Sequence, residues 1–232
     1  MSRNRNIVAV LAGGTGKRVG GEIPKQFLNL GNRMVIERTI DAFEINDNID
    51  EIIVVMHADH LDNMRTIAQK NGWKKLTQIV AGGKERYQST LAALNCCLQE
   101  TPDSHLLIHD AARPMVSQRI INDVASALEN YSAVAVGVPS SDTVWQISGD
   151  NTIHSIPERA SLLLAQTPQA FRLDIIREAY GHAIQSASVP ATDDCGIVVR
   201  YLPQVAIHTV LGETTNVKIT YPEDIKKIES TL

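Results

Sequence analysis

The chain has 232 residues, of which 44% are hydrophobic, and its formal net charge is -4 at pH 7. That length is enough for one large α/β domain with its own core, and we predict a single domain over residues 1–232. The mild negative charge and the lack of a Lys/Arg block argue against nucleic acid or a membrane surface as a partner. The first apolar stretch, five residues long, is too short for a signal-peptide core or a membrane span, so we expect a cytoplasmic protein. Cys96, Cys97 and Cys195 have no C-x-x-C spacing, which favours reduced thiols.

Apolar runs rich in Val and Ile alternate with amphipathic segments along the chain. The apolar runs predict buried, parallel strands over residues 7–11, 52–56, 78–81, 106–109 and 133–138. The amphipathic segments predict helices over residues 35–45, 59–71, 86–99 and 117–130. Repeated strand–helix units favour a Rossmann-like, doubly wound, mostly parallel sheet with helices on both faces, which is a three-layer α/β fold. Because ligands bind at the carboxyl ends of strands in such sheets, the residues after each strand are the first candidates for a site.

Residues 140–160 interrupt this alternation and predict an inserted β-hairpin arm. The segments 143–147 and 152–156 read as two strands around the turn Gly149-Asp-Asn151. Since a two-stranded hairpin is only marginally stable alone, the arm is expected to pack on something. Trp145 is compatible with ordinary core packing or with contact to a second subunit, and we predict a homodimer that forms through the arm. Farther along, the patterns predict helices over 173–186 and 192–200, a strand over 205–210, and a last helix with Thr220 as N-cap and Pro222 in its first turn.

The first predicted strand leads into a glycine-rich turn, Leu11-Ala-Gly-Gly-Thr-Gly-Lys-Arg-Val-Gly20. Glycines let backbone N–H groups approach an anion closely, and the turn lies where an α/β sheet usually binds phosphate. It is not a Walker A loop, because Arg18 replaces the required Ser or Thr and Leu11 replaces the first Gly. A dinucleotide fingerprint is also disfavoured, because Val19 occupies the position of its third small residue. The turn therefore argues against hydride transfer.

Several cations accompany this turn. Lys17, Arg18 and Lys25 lie beside it in the sequence, and Lys218 comes shortly before the last predicted helix. Such a group of positive charges suits a triphosphate. The alternative interpretation is that Lys17 and Arg18 form a solvated turn face.

Asp110 directly follows the fourth predicted strand, in the segment His109-Asp-Ala-Ala-Arg-Pro114. A Mg²⁺ ion binds one or two carboxylates together with phosphate oxygens, so one well-placed Asp can serve as its ligand. Arg113 is expected to face the same cleft. The alternative is an Asp–Arg pair that only closes a turn. We expect His109 to form local hydrogen bonds rather than to bind a ligand.

A set of short motifs occurs together and in order over nearly the whole chain. The motifs are Leu11-Ala-Gly-Gly-Thr-Gly-Lys-Arg18, Pro24-Lys-Gln-Phe-Leu28, Gly82-Gly-Lys-Glu-Arg-Tyr-Gln-Ser89, His109-Asp-Ala-Ala-Arg-Pro114, Ser141-Asp-Thr143, Arg159 with Gln166-Thr-Pro-Gln169, Thr192-Asp-Asp194 and Asn216-Val-Lys-Ile-Thr220. This ordered set resembles the 2-C-methyl-D-erythritol 4-phosphate and ribitol-5-phosphate cytidylyltransferase family. The resemblance implies an enzyme that moves CMP from CTP onto a small polyol phosphate and releases pyrophosphate.

The resemblance also implies roles for individual residues, which we give here by group. The CTP phosphates would be bound by Ala12, Gly13, Gly14, Gly16, Arg18, Lys25 and Lys218. The cytosine and ribose would be framed by Gly82, Gly83, Arg86 and Ser89, with Asp110 and Ala111 also at the nucleotide and Asp110 as the ligand of Mg²⁺. The polyol phosphate would meet Arg113, Thr143 and Thr192, together with Arg159 from the arm of a partner subunit.

Elementary phosphate chemistry indicates how such an enzyme would work. The second pKa of a phosphate monoester is about 6, so the attacking oxygen is already largely deprotonated at neutral pH and no general base is needed. The cost to be met is the repulsion between two anions, and we expect Arg18, Lys25, Lys218 and Mg²⁺ to meet it.

The acceptor and a non-catalytic role are left open by the sequence. The motifs at 109–114, 141–143 and 192–194 are similar to the methylerythritol branch, which makes isoprenoid precursors, and we favour that acceptor. The motifs at 11–16 and 155–159 are similar to the ribitol branch, which makes CDP-ribitol for teichoic acid or capsule. A nucleotide-binding protein without catalysis is a third possibility, whose mark would be the loss of the charged residues.

Overall fold

The computed structural model describes residues 3–14, 23–186, 189 and 192–230. The strands in these ranges are β1 (Asn6–Ala12), β2 (Asn29–Leu30), β3 (Arg33–Met34), β4 (Glu51–Met56), β5 (Leu76–Ala81), β6 (His105–Asp110), β7 (Ala133–Pro139), β8 (Gln146–Ile147), β9 (Ile153–Ser155), β10 (Leu163–Arg172) and β11 (His208–Leu211). The α-helices are α1 (Val35–Glu44), α2 (Leu61–Asn71), α3 (Arg86–Cys96), α4 (Gln118–Ala127), α5 (Leu173–Ala183), α6 (Asp194–Tyr201) and α7 (Pro222–Glu229).

Seven of these strands form one central sheet in the order β11-β7-β10-β6-β1-β4-β5. β10 is antiparallel to both of its neighbours, and the other neighbouring pairs are parallel. This arrangement confirms the predicted doubly wound, mostly parallel α/β fold.

β10 is the main element that the sequence patterns missed. Its segment Gln166-Thr-Pro-Gln169 reads as a polar loop or a helix cap, because Pro cannot donate to a sheet ladder. In the structure the register between β10 and β7 shifts between Gln166 and Gln169, so an irregularity accommodates the proline. The strand therefore continues through residues that local propensity would place in a loop.

Two hydrophobic clusters cover the two faces of the sheet. Successive side chains of a strand point to opposite faces, so Val8 and Val10 of β1 enter one cluster and Ile7 and Ala9 enter the other. The first cluster packs against α1, α2 and α4, and the second against α3, α5 and α6. This is the three-layer arrangement that the alternating pattern predicts.

The predicted hairpin is also present, since β8 and β9 pair in antiparallel fashion. Trp145 is 59% exposed and Ile147 is 63% exposed, and Ile153 and Ile156 are exposed as well. Of the two interpretations of Trp145, ordinary core packing is therefore wrong within one chain. The arm presents an apolar surface with no cover from its own domain.

The N-cap of the last helix lies one residue later than predicted. The N-cap of α7 is Tyr221 rather than Thr220, and Pro222 occupies the first helical position as expected. The reason is Asp224, whose carboxylate accepts the backbone N–H groups of both Thr220 and Tyr221 at 2.7 and 2.8 Å. The side chain that satisfies the open N–H groups thus comes from inside the helix.

Candidate active site

A cavity of about 230 Å³ opens at the carboxyl ends of the central strands, and we call it the glycine cavity. Its walls come from the end of β1, the loop between β5 and α3, and the end of β6. The described residues bring together most of the predicted nucleotide site, and the lining includes Ala12, Gly13, Gly14, Lys25, Gly83, Arg86, Ser89, Asp110, Ala111 and Lys218. Gly16 and Arg18 lie outside the described residues.

The glycines bring the backbone close to Ser89 at the start of α3. An added Cβ on Gly82 would lie 2.5 Å from the Ser89 Oγ, and one on Gly13 would lie 3.2 Å from the same atom. Gly82 does not line the cavity itself, but its close packing places the loop wall that does. A side chain at this position would require the Ser89 hydroxyl to move, and its Cβ would also lie 3.1 Å from the Val55 Cγ1 and 3.3 Å from the Ser89 Cβ.

Asp110, at the end of β6, lies among three cations. Its Oδ2 is 2.7 Å from the Lys218 Nζ and 3.9 Å from the Arg113 Nε, and its Oδ1 is 3.8 Å from the Arg86 Nε. Burial by itself would raise the pKa of Asp110, but Lys218 and Arg86 outweigh it and hold the pKa at about 2. The carboxylate is therefore ionised at any physiological pH.

Lys25 and Gln26 secure the opposite wall. The Lys25 Nζ donates to the carbonyl oxygen of Ile219 at 2.7 Å, next to Lys218 in the chain. The buried Gln26 Nε2 donates to the carbonyl oxygen of Ala12 at 3.0 Å. These two hydrogen bonds place Lys25, Lys218 and the end of β1 around the glycine cavity.

A second cavity of about 190 Å³ adjoins the first, and we call it the Arg113 cavity. It shares Arg86, Asp110 and Lys218 with the glycine cavity and adds the predicted acceptor residues Arg113 and Thr192. The middle of β10 lies level with the end of β6, so the missed segment Gln166-Thr-Pro-Gln169 also contributes to this wall.

Arg113 is held in place by backbone acceptors. Its Nη1 donates to the carbonyl oxygen of Asn216 at 2.7 Å and its Nη2 to that of Ala165 at 3.2 Å. Its Nε is buried and has no hydrogen bond to any residue that the structure describes. Burial lowers the pKa of Arg113, and Asp110 counteracts this only in part. Arg113 lines the second cavity with its guanidinium fixed by these acceptors, and a fixed guanidinium is suited to bind an anionic ligand.

Thr143 and Arg159 do not reach either cavity in their own chain. Both are exposed in the arm region, and the Arg159 Nη1 donates to the carbonyl oxygen of Ser141 at 3.1 Å. The structure thus brings Arg113 and Thr192 together and leaves these two predicted acceptor residues apart from them.

His109 is buried and bonded locally, as expected from the sequence. Its Nε2 lies 3.1 Å from the Arg113 carbonyl oxygen and its Nδ1 lies 3.0 Å from the Thr167 Oγ1. Burial lowers the pKa of His109 to about 4, so the ring is neutral at physiological pH. It supports the turn between Asp110 and Arg113.

Asp194 is a residue that sequence reasoning did not single out beyond its place in the Thr192-Asp-Asp motif. Its carboxylate is fully buried, and its Oδ2 lies 2.6 Å from the Arg86 Nη1. Burial by itself would lower the pKa of Arg86, but Asp194 and Asp110 raise it above its ordinary value. A buried acid beside a predicted site arginine could not be recognised from sequence, because the two residues are far apart along the chain.

The donor set suits Mg²⁺ only with help from a ligand. Among the described residues no three His, Cys, Asp or Glu side chains come together as a protein metal cage. Asp110 nevertheless offers an ionised carboxylate to the glycine cavity, which fits an ion that takes most of its ligands from phosphate oxygens and water.

The fold and the two cavities together indicate the class of protein to which the chain belongs. Converging cations and close backbone at the carboxyl edge of a doubly wound sheet are typical of α/β proteins that bind nucleotide phosphates. Within the part of the chain that the structure describes, no helix has the length and apolar character needed to span a bilayer.

Comparison with known proteins identifies the family. The family model of IspD, 2-C-methyl-D-erythritol 4-phosphate cytidylyltransferase, matches residues 6–232, and the chain belongs to this family. It is therefore a CTP-dependent nucleotidyltransferase, which decides against the third possibility of a nucleotide-binding protein without catalysis.

Three similar proteins illustrate the relationship. The chain is 44% identical to 2-C-methyl-D-erythritol 4-phosphate cytidylyltransferase of Thermobifida fusca, over 99% of this chain and 94% of that protein. It is 38% identical to a bifunctional ribulose 5-phosphate reductase/CDP-ribitol pyrophosphorylase of Haemophilus influenzae, over 97% of this chain but only 48% of that protein. The crystal structure of 4-diphosphocytidyl-2C-methyl-D-erythritol synthase from Anaerococcus prevotii superposes with a TM-score of 0.85 at 29% identity, covering 98% of this chain and 96% of that one.

Proposed function

We propose that the protein transfers CMP from CTP to the phosphate of 2-C-methyl-D-erythritol 4-phosphate and releases pyrophosphate. The observation that carries this proposal is the pair of adjoining cavities that share Arg86, Asp110 and Lys218. Two reactants bound in them would meet at those three charges. The glycine cavity would take the nucleotide and the Arg113 cavity the acceptor.

In this assignment the triphosphate lies along the glycine turn. Lys25 and Lys218 line the glycine cavity. Together with Arg18, which the sequence places in the glycine turn, they would neutralise the negative charge of the triphosphate. The loop of Gly82 and Gly83 with Ser89 would frame the cytosine and ribose. Arg113 and Thr192 would bind the acceptor phosphate from the other side.

The reaction is a displacement at phosphorus. An oxygen of the acceptor phosphate forms a new bond to the α-phosphorus of CTP, while the bond from that phosphorus to the bridging oxygen breaks and pyrophosphate leaves. No side chain has to remove a proton, because the acceptor phosphate has a second pKa of about 6. The protein contributes position and positive charge.

Asp110 would hold Mg²⁺ together with phosphate oxygens of the nucleotide. The ion would supply further neutralisation of the phosphate charge. The Lys218 Nζ lies 2.7 Å from the Asp110 Oδ2, so the lysine and the carboxylate that would hold the ion stand side by side.

The charge assignment is tested by turnover of lysine variants. Lys25→Ala and Lys218→Ala should each lower kcat on the order of 10²- to 10³-fold, by analogy with the loss of one oxyanion-hole donor. Lys226→Ala is the matched control, because Lys226 is exposed on α7 and lines neither cavity. Pyrophosphate release from CTP plus acceptor is the measurement. Wild-type turnover in both cavity variants would refute the assignment.

The acceptor is tested by parallel assays. We favour methylerythritol phosphate, and the relative described as a CDP-ribitol pyrophosphorylase makes D-ribitol 5-phosphate the second candidate. Steady-state kcat/KM with CTP and each acceptor discriminates between them. A higher value with ribitol phosphate would replace our assignment without changing the class of reaction.

The exposed arm supports a homodimer in which Arg159 serves the partner's acceptor site. Its apolar residues Trp145, Ile147, Ile153 and Ile156 lack cover in one chain, and exposed patches of this kind mark interfaces. Arg159 lies in the same arm region, away from the Arg113 cavity of its own chain.

The location in the cytoplasm that the sequence suggests stays a prediction.

Heterodimers with two affinity tags test the role of Arg159. If Arg159 acts across subunits, an Arg159→Ala chain paired with a Lys218→Ala chain keeps one intact site and about half of wild-type activity. A wild-type chain paired with the Arg159→Ala/Lys218→Ala double variant then has no intact site. If Arg159 acts in its own chain, the two results are exchanged.

A further inference from the structure

Asp194 is the buried charge next to the site that the proposed reaction does not use. It is the first residue of α6, and its side chain has no exposed surface. Its Oδ1 accepts hydrogen bonds from the Tyr180 hydroxyl at 2.7 Å and from the Thr90 Oγ1 at 2.8 Å. Its Oδ2 faces the Arg86 Nη1 at 2.6 Å. Burial of a carboxylate is costly unless such partners compensate it, so the position of the charge is closely defined.

The backbone of Asp194 is fixed as firmly as its side chain. The Gln169 Oε1, from β10, accepts the N–H groups of Asp194 and Cys195 at 3.0 and 3.2 Å. The Gln169 Nε2 donates to the Asp193 Oδ2 at 2.8 Å. The carboxylate is therefore held by α3 and α5, and the backbone that carries it is held by β10.

Arg86 is the group through which this rigidity reaches the site. It is the first residue of α3 and lines both the glycine cavity and the Arg113 cavity. Its Nη1 forms an ion pair with the Asp194 Oδ2 at 2.6 Å, while its Nε is 3.8 Å from the Asp110 Oδ1. The guanidinium thus lies between two carboxylates, with the shorter contact to Asp194 and the longer one to Asp110, in the wall that the two cavities share.

We propose that Asp194 is a positioning residue, whose carboxylate holds the Arg86 guanidinium at the wall shared by the two cavities so that this cation faces both reacting phosphates. The inference rests on the proposed function. The contact of Arg86 with the cytosine and ribose that the family resemblance implies stays a prediction, and the shared wall adds a contact with the acceptor side. Asp194 itself touches neither reactant.

The test is a double-mutant cycle on pyrophosphate release. Asp194→Asn keeps the shape and the acceptor oxygen for Tyr180 and Thr90 but removes the charge that holds Arg86. We expect kcat/KM for the acceptor to fall about 10- to 100-fold, by analogy with outer-shell groups that orient the ligands of a metal site. Arg86→Met should lower kcat/KM by a similar or greater factor. Adding Asp194→Asn to Arg86→Met should cause no further loss of kcat/KM.

The stability of the same variants separates positioning from a purely structural role. Arg86→Met leaves the Asp194 charge buried without its cation and should lower the Tm, whereas Asp194→Asn in that background should restore the Tm. Activity should not return with it. Recovery of both Tm and activity in the double variant would show that the pair only holds the fold, and would overturn the proposal.

Further outcomes are decided by the same experiment. Wild-type kcat/KM in folded Asp194→Asn, or an undiminished additional loss in the Arg86→Met background, would overturn the proposal. If Asp194→Asn does not fold, Tyr180→Phe and Thr90→Val each remove one hydrogen bond and leave the charge. They should lower kcat/KM only when Arg86 is present, and an equal loss without Arg86 would contradict the inference. Failure of the proposed function is distinguishable, because the wild-type protein would then release no pyrophosphate with either acceptor.

Discussion

Replacement of Asp110 by Asn should destabilise the protein as well as impair it. The pKa of Asp110 falls from its ordinary 3.8 to about 2 in the folded state, because Lys218 and Arg86 outweigh the effect of burial. A difference of about 1.8 pKa units, at about 1.4 kcal/mol each, corresponds to about 2.5 kcal/mol of stabilisation. Since the folded-state pKa is lowered, this stabilisation is fully present above pH 3.8 and is lost as the pH falls toward 2. At pH 7 Asp110→Asn should therefore reduce the free energy of unfolding by about 2.5 kcal/mol.

Urea denaturation at pH 7 measures this difference, and the chain offers a matched control. Asp123 pairs with Arg119 at 2.7 Å, the same separation as in the Asp110–Lys218 pair. The side chains of Asp123 and Arg119 are both about half exposed, whereas that of Asp110 is 13% exposed. Asp123→Asn should cost about 0.5 kcal/mol or less, because water and salt screen an exposed helix pair. Equal stability of Asp110→Asn and the wild type, or an equal loss in the two variants, would refute the argument from burial and charge.

Two further predictions concern the reaction. With rising pH, kcat/KM for the acceptor should increase through about pH 6, where the acceptor phosphate loses its second proton, and then level off. His109 has a pKa of about 4, so it should add no step to this profile between pH 5 and 8. A step in that range that vanishes in His109→Gln would contradict this prediction. Gly82→Ala should raise KM for CTP, because the added Cβ would lie 2.5 Å from the Ser89 Oγ. Gly149→Ala in the arm is the control and should leave KM unchanged, because its added Cβ would meet nothing within 4 Å. Equal KM values for the two variants would show that the close packing at Gly82 is unimportant.

Much of the fold could be read from local pattern. The Val- and Ile-rich runs and the amphipathic segments between them predicted the parallel strands and the two helical layers, because burial on both faces leaves a continuous apolar run. The hairpin followed from a turn with Gly149, Asp150 and Asn151 between two β-prone segments. β10 could not be found in this way, because Pro168 and its polar neighbours look like a loop until the strands beside them are known.

The candidate site was accessible to the sequence in its parts but not in its geometry. Residues after strands, such as Gly13, Asp110 and Arg113, were predicted because strand ends meet at one edge of a parallel sheet. The sequence alone thus determined the class of fold, the ordered motifs and the charges available to a phosphate ligand. Only the tertiary structure decided that these charges are shared by two adjoining cavities, that Arg159 stands apart from them, and that Asp194 holds Arg86 between them. The physical reason is that such contacts join residues far apart in the chain, and their distances depend on how the whole sheet and its helices pack.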